Sequence, residues 1–232
     1  MEFDRLLGIS HALRMFSERV GKIGSVFILP LVAVTMWDVV IRKVGGVQVW
    51  MIENISRYFG STIVQELEWH FHTALFTLVL GYGFVFNRHV RVDLIREKLP
   101  FKVQVWIEFL GCTLFMIPYC LIVGYFAADY AYEAFTSGEI SASTVGLSHR
   151  WIIKSVLVIG LFVAAAAGIA VWLQTVVVLL GPKDKRFELM TLEWPEEQDR
   201  KSKLRAEMTA AAKAAREAKT IERPPDLPDS DT

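Results

Sequence analysis

The chain has 232 residues, of which 53% are hydrophobic, and its mean hydropathy is +0.36 with 25 basic and 25 acidic side chains. This hydropathy excludes an ordinary soluble protein, and the balanced charge, with no isolated basic stripe, gives no reason to expect a nucleic-acid partner. The charge is unevenly distributed, because residues 184–232 carry 22 of the 50 charged side chains and leave long apolar stretches elsewhere.

Residues 1–22 form a charged N-terminal segment. No small-residue cleavage site follows a short apolar core, so we expect the first hydrophobic run to be retained as an anchor. Arg5, Arg14 and Glu18 lie opposite an apolar face, which predicts a helix lying on the cytoplasmic membrane surface. An amphipathic connector packed on the bundle is the alternative. The apolar face consists of Phe3, Leu6, Leu7, Leu13, Phe16 and Val20.

Four apolar stretches follow, and each is predicted to be a transmembrane helix, because a bilayer core of ~30 Å needs about 20 apolar residues. The second is short in strictly apolar residues, so its helix is expected to begin among Glu66, Glu68 and His70. Pro118 predicts a kink or loosened turn in the third. The stretches are about 23–41, 72–86, 105–128 and 152–180. A second interfacial segment is predicted on the outer side, with Met51, Ile55, Tyr58 and Phe59 on one face.

Lysine and arginine near the predicted spans indicate their orientation. Twelve of these side chains lie before span one, between spans two and three, or after span four, and five lie on the opposite side. Both termini are therefore predicted to be cytoplasmic. The predicted domains are a cytoplasmic interfacial helix (1–22), a four-helix transmembrane domain (23–182) and a charged cytoplasmic tail (183–232). In the tail, residues 196–220 have a helical composition and residues 222–232 a disordered one.

The predicted spans hold long stretches without a charged side chain or a histidine, namely residues 73–86, 109–128 and 155–181. Because ion and proton pathways through membranes use ionisable residues, we expect this chain not to transport by itself. Gly160, Ala164 and Gly168 lie four residues apart, a spacing that allows close helix packing. This packing could involve a partner or, as the favoured alternative, the chain's own bundle.

The densest polar cluster is residues 65–72. Glu66 with His70, and Glu68 with His72, are spaced four apart on one helix and could contribute to a metal site, although acidic residues at a helix N-terminus are the commoner explanation. His72 and His149 could pair as axial haem ligands, which leaves a haem- or quinone-associated anchor subunit as an alternative. A self-sufficient small homodimeric transporter is another alternative. We predict no cofactor, no metal and no enzymatic activity.

Several segments together resemble a known family. They are Gln65-Glu66-Leu67-Glu68-Trp69, His89-Val90-Arg91-Val92-Asp93, Gly138-Glu139-Ile140-Ser141, and Gly146 to Lys154 with Arg150-Trp151 at its centre. In this order they resemble the small permease subunit of TRAP (tripartite ATP-independent periplasmic) transporters, the DctQ-like family, and are nearest to its mannitol/chloroaromatic branch. The resemblance covers about residues 20–180, and the long charged tail departs from it.

The resemblance implies a multi-pass protein of the bacterial inner membrane. In this family a large membrane subunit of about a dozen helices is thought to carry the substrate and sodium sites and to move as an elevator. A periplasmic substrate-binding protein delivers an organic anion, and the small subunit enlarges the scaffold within the lipid. The resemblance then implies structural, interfacial or partner-docking roles for Glu66, Trp69, Arg91, Asp93, Glu139, Ser141, Arg150, Trp151 and Lys154. The further candidates for structural or subunit-interface roles are Glu68 and, from their spacing, Gly160, Ala164 and Gly168.

Overall fold

The computed structural model of the protein describes residues 2–44, 46–88, 96, 98–143 and 146–221. These residues form helices and connecting turns and contain no strand, which confirms the all-helical prediction for the described part. The helices are α1 (Glu2–Ser25), α2 (Ile28–Lys43), α3 (Val47–Asn54), α4 (Ser61–Val85), α5 (Phe101–Gly111), α6 (Ile117–Thr136), α7 (Trp151–Leu180) and α8 (Pro195–Ile221). A 3-10 turn covers Arg57–Phe59, and a π-helical turn, Cys112–Met116, joins α5 to α6.

Three helical stretches among the described residues are long and apolar enough to cross a membrane: Glu2–Lys43, Phe101–Thr136 and Trp151–Leu180. They contain the first, third and fourth predicted spans. The second predicted span lies in α4, which has 25 residues and is about 37 Å long at ~1.5 Å per residue. Its first half carries Glu66, Glu68, His70 and His72, which lower its hydropathy, so a fourth crossing stays a prediction.

Helices α4 and α7 form the centre of the bundle. A Cβ placed on Gly160 of α7 would lie 2.6 Å from the carbonyl oxygen of Thr77 in α4, and one on Gly81 would lie 3.0 Å from the carbonyl oxygen of Val163. The two backbones therefore approach closely, as small residues permit. Since residue numbers rise together along this contact, α4 and α7 run in the same direction.

Helix α1 packs lengthwise against α4 and α7. Ser10 donates a hydrogen bond of 2.7 Å to the carbonyl of Ala170, and Ser17 donates one of 3.5 Å to Val163. These contacts make α1 antiparallel to α7 and correspond to the packed-connector alternative for residues 1–22. Contact of its outer face with lipid headgroups stays a prediction.

Helix α6 reaches the bundle through one side only. Its buried residues have small side chains and recur at helical spacing toward α7, and they are Cys120, Gly124, Ala127, Ala131 and Ala134. The π-helical turn ends two residues before Pro118, whose nitrogen cannot donate a hydrogen bond. The predicted loosened turn in this span is therefore confirmed.

The compact unit that contains the bundle continues to Thr191, and a second unit begins at Leu192. Gln174 of α7 joins the segment after α7 to the bundle, because its Nε2 donates to the carbonyl of Glu188 and its Oε1 accepts from the N–H of Met190, both at 2.9 Å. Residues 183–191, predicted as the start of the tail, thus pack with the membrane helices. The second unit contains α8, which agrees with the helix predicted over residues 196–220, and residues 222–232 lie outside the described part.

Candidate functional site

Glu66 ties α4 to the loop that connects α6 and α7. Its Oε2 accepts a 2.6 Å hydrogen bond from the backbone N–H of Leu147, and its Oε1 accepts the hydroxyl of Ser141. The Ser141 N–H in turn donates to the carbonyl of Leu147 at 3.2 Å. One carboxylate therefore holds both sides of the loop, through charge-assisted bonds that are stronger than neutral ones.

Gly146 makes this arrangement possible. A Cβ at this position would overlap the Ser141 side chain and would lie 2.7 Å from Oε1 of Glu66. A larger residue would therefore displace the loop from the carboxylate. The local sequence Gly146-Leu147 thus brings a backbone N–H to Glu66.

A second group of charges joins the two helix ends beside this loop. The carboxylate of Glu139 accepts from Nζ of Lys154, and its Oε1 lies 3.9 Å from Nη1 of Arg150. Lys154 is only 8% exposed, and its Nζ lies 3.4 Å from the centre of the Tyr130 ring. A cation at this depth requires such partners, because removing a charge from water is costly.

The structure therefore brings together five residues that the resemblance singled out: Glu66, Ser141, Glu139, Arg150 and Lys154. Trp69 lies apart from them and is 70% exposed. Trp151 packs edge-on against Phe135 with ring centres 5.3 Å apart.

The remaining predicted residues divide into three groups. Glu68 is partly buried, and its Oε1 makes no hydrogen bond with any residue that the structure describes. Gly160, Ala164 and Gly168 all contact other helices of this bundle: Gly160 faces α4, Ala164 clusters with Cys120, and Gly168 faces Met116. Arg91 and Asp93 lie outside the described residues.

Sequence reasoning missed a cluster near the other end of α7. Glu108 is 9% exposed, and its Oε2 lies 3.6 Å from Nη2 of Arg96, which also donates 2.7 Å to the carbonyl of Thr191. A carboxylate inside the predicted third span was the available signal, because such a residue needs a charged partner. Asp38 is similar: it is 4% exposed, pairs with Arg42 and accepts the Ser61 hydroxyl at 3.2 Å.

Arg14 and Glu188 form a more exposed pair near the C-terminal end of α7. Nη1 and Nη2 of Arg14 lie 2.9 and 3.2 Å from the two carboxylate oxygens of Glu188, so the geometry is bidentate. Hydrogen bonding from Arg14 lowers the pKa of Glu188 below its ordinary value, despite partial desolvation. The pair attaches the segment after α7 to α1.

Glu66 and His70, considered above as metal ligands, have other partners. Both Glu66 oxygens are occupied by the loop, and Nδ1 of His70 lies 2.6 Å from the backbone carbonyl of Glu66. Across the described ranges, no three His, Cys, Asp or Glu side chains are grouped so that they could hold a metal ion. The charged clusters therefore serve to join helices and loops to one another.

An all-helical bundle with three membrane-length apolar stretches and ion-paired side chains at its helix ends belongs to the class of multi-pass membrane proteins. Residues 31–177 match the family model described as "Tripartite ATP-independent periplasmic transporters, DctQ component", and the chain belongs to that family. The family is the small component of a transporter, not an enzyme family, and it functions with a large membrane subunit and a binding protein. No curated protein and no solved structure matches the chain.

Proposed function

We propose that this chain is the small subunit of a TRAP-type secondary transporter for organic acids in the bacterial inner membrane. Its role is to enlarge and stabilise the scaffold of the large transport subunit during sodium-coupled uptake with a periplasmic binding protein. Family membership supports the assignment to such a transporter. The scaffold role is supported by the hydrogen bonds and ion pairs of Glu66, Glu139, Arg150 and Lys154. These bonds join α4, the loop between α6 and α7, and the start of α7.

Four crossings, with both termini in the cytoplasm, are part of this proposal. Helix α1 is antiparallel to α4 and α7, and α6 is antiparallel to α7, since Tyr130 meets Lys154 while Cys120 meets Ala164. Alternating directions return the chain to its starting side after an even number of crossings. The polar half of α4 suits a span that other helices surround, and the excess of Lys and Arg supports the cytoplasmic assignment.

The scaffold role requires rigidity more than chemistry. Charged residues that relay ions must be able to exchange partners. Lys154, in contrast, is buried between Glu139 and Tyr130, and both carboxylate oxygens of Glu66 accept hydrogen bonds from the loop. Residues 109–128 and 155–181 contain no charged side chain. The features are those of a fixed support against which another subunit can move.

Reconstitution into vesicles tests the proposal. Sodium-dependent uptake of an organic anion is expected when the large subunit, the binding protein and this chain are all present. This chain reconstituted alone should give no flux, and omitting it from the complete system should abolish uptake. Solute movement by the isolated chain would instead establish a self-sufficient transporter. A haem absorbance band in the purified protein would establish an anchor subunit of a redox complex.

Two finer statements also belong to the proposal. The mannitol/chloroaromatic branch rests on the motif resemblance alone and would be tested by identifying the anion that the cognate binding protein carries. Arg91 and Asp93 are proposed to act in assembly. Arg91→Ala or Asp93→Ala should reduce co-purification of the large subunit more than it changes the sodium dependence of transport, and full retention with lost sodium dependence would contradict this role.

A further inference from the structure

We propose that the exposed face of α6, with the groove beside the π-helical turn, is the surface that docks a transmembrane helix of the large subunit. This inference rests on the proposed function and names its interface. The docking partner is identified by its chemistry: an apolar helix that offers hydrogen-bond acceptors at mid-membrane depth.

The two sides of α6 differ in character. Small residues face α7, whereas the opposite side carries large residues that are between 57% and 73% exposed. These exposed residues, with Phe115 from the π-helical turn, are Phe115, Tyr119, Ile122, Tyr125 and Phe126. The set is rich in aromatic side chains, which dominate the energetics of protein interfaces.

The depth of two tyrosines is the decisive observation. Cys120, adjacent to Tyr119, clusters with Ala164 and Ala165, and Gly124, adjacent to Tyr125, faces Leu161 and Phe162. Tyr130 marks the outer charged layer, because it contacts Lys154. At ~1.5 Å per residue, Tyr125 lies about 8 Å and Tyr119 about 16 Å below Tyr130, so Tyr119 is close to the midplane of a ~30 Å hydrocarbon core.

Hydroxyl groups at this depth require partners. Tyrosine exposed to lipid is normally found at the membrane–water interface, where its hydroxyl reaches water. Within the described part of the chain, the hydroxyl groups of Tyr119 and Tyr125 make no hydrogen bond to another residue. Because an unpaired hydroxyl in hydrocarbon is unfavourable, and hydrogen bonds between helices support association in lipid, an acceptor on another polypeptide is expected.

A groove lies next to these tyrosines. Its volume is about 740 Å³, and its lining includes Phe84, Cys112, Phe115, Pro118, Tyr119 and Ile122. The groove is open where the helix widens at the π-helical turn and where Gly111 has no side chain. Bulky side chains of a neighbouring helix could fill this space, with the Arg96–Glu108 pair at its edge offering polar groups.

The outer face of α2 provides the contrast. Ile28, Leu29, Val32 and Met36 are between 50% and 69% exposed and carry no hydroxyl. This aliphatic surface has the composition that lipid chains cover without an unsatisfied polar group. The difference assigns the partner to α6 and lipid to the outer face of α2.

Photo-crosslinking in the assembled transporter tests the assignment. p-Benzoylphenylalanine at Phe115 or Phe126 should form an adduct with the large subunit. The matched positions Leu29 and Val32, which are 69% and 55% exposed, should form none. Adducts from the matched positions only, or lipid adducts only from α6, would overturn the inference. Failure of the unmodified chain to co-purify with the large subunit would instead contradict the proposed function.

Removal of the hydroxyls gives a second test. Tyr119→Phe and Tyr125→Phe should each lower the affinity for the large subunit about threefold, as expected for one hydrogen bond between membrane helices. Tyr132→Phe, near the outer end of α6, is the matched control and should retain the partner. The thermal stability of the isolated chain should stay unchanged in all three variants. Equal loss of stability in the isolated chain, or unchanged affinity in both test variants, would refute the interface.

Discussion

The central pair α4–α7 and the peripheral helix α6 use apolar residues differently. In α7, 56% of the most apolar stretch is buried inside the protein, against 17% for the stretch that includes α6. Gly160, Ala164 and Ala167 let α7 contact neighbours on several sides, whereas α6 has small residues on one side and aromatic residues on the other. Apolar content therefore identifies a membrane helix, but the distribution of small residues around it identifies which helix is central.

The largest expected effect comes from filling the closest contact of the central pair. Gly160→Val should destabilise the isolated chain by about 3 kcal/mol or more, because its Cβ would meet the carbonyl oxygen of Thr77, which belongs to the backbone and cannot rotate away. Thermal unfolding in detergent measures this effect. Gly111→Val is the matched control, since no atom lies within 4 Å of the Cβ position there. Equal unfolding temperatures for the two variants would mean that α4 and α7 are not in close contact.

The next effect concerns the outer end of the same pair. Glu66→Ala should cost about 2 kcal/mol, because the Leu147 N–H and the Ser141 hydroxyl lose a charged acceptor. Amide hydrogen exchange at Leu147 and proteolysis of the loop between α6 and α7 should both accelerate. Glu53→Ala, which removes an exposed carboxylate from α3, should leave the loop protected. A loop that stays equally protected in both variants would show that Glu66 does not hold it.

Much of this central architecture follows from the sequence, because its determinants are local. Four apolar stretches were predicted as membrane helices, and three of them lie in helical stretches long and apolar enough to cross a membrane. Pro118 predicted the loosened turn. The spacing of Gly160, Ala164 and Gly168 predicted close packing. Helix α4 was harder to assign, because Glu66 and Glu68 lower its hydropathy and sequence alone does not show that other helices surround it.

The pairings could not be predicted, because they depend on the tertiary fold. Glu66 and Leu147 are separated by 81 residues, and Arg14 and Glu188 by 174. The resemblance selected Glu66, Ser141, Glu139, Arg150 and Lys154 as residues of interest but gave no partners. For α1, an amphipathic pattern is the same whether the apolar face meets lipid or protein. The tertiary contacts show which helices it meets: Ser10 and Ser17 bond to α7, and Gly21 and Gly24 lie against α4.

A smaller effect is expected at the inner end of α7. Gln174→Ala should destabilise the bundle by about 1–2 kcal/mol, because the carbonyl of Glu188 and the N–H of Met190 both lose their partner. The unfolding midpoint of the isolated chain measures this change.

Two truncations provide the control for Gln174. A chain that ends at Thr191 should unfold like the full-length protein, because it retains the whole of the first compact unit. A chain that ends at Pro182 should be at least as unstable as Gln174→Ala, since it also removes the buried side chain of Met190. If both truncations left stability unchanged, residues 183–191 would not belong to the bundle.

The smallest effect is expected at the ion pair between Arg14 of α1 and Glu188, which follows α7. Because Arg14 lowers the pKa of Glu188 in the folded protein, the stabilisation is present above the unfolded-state pKa and is lost as pH falls through the lowered folded-state value. The Glu188 side chain is 76% exposed, so solvent screening limits the effect to about 0.5 kcal/mol. The difference in unfolding free energy between the wild type and Glu188→Gln should therefore be small at pH 7 and should disappear once the pH falls below the lowered folded-state pKa. It should be smaller at every pH in an Arg14→Gln background, where the weaker attraction of His11 remains, and an undiminished difference would assign the stabilisation to another partner.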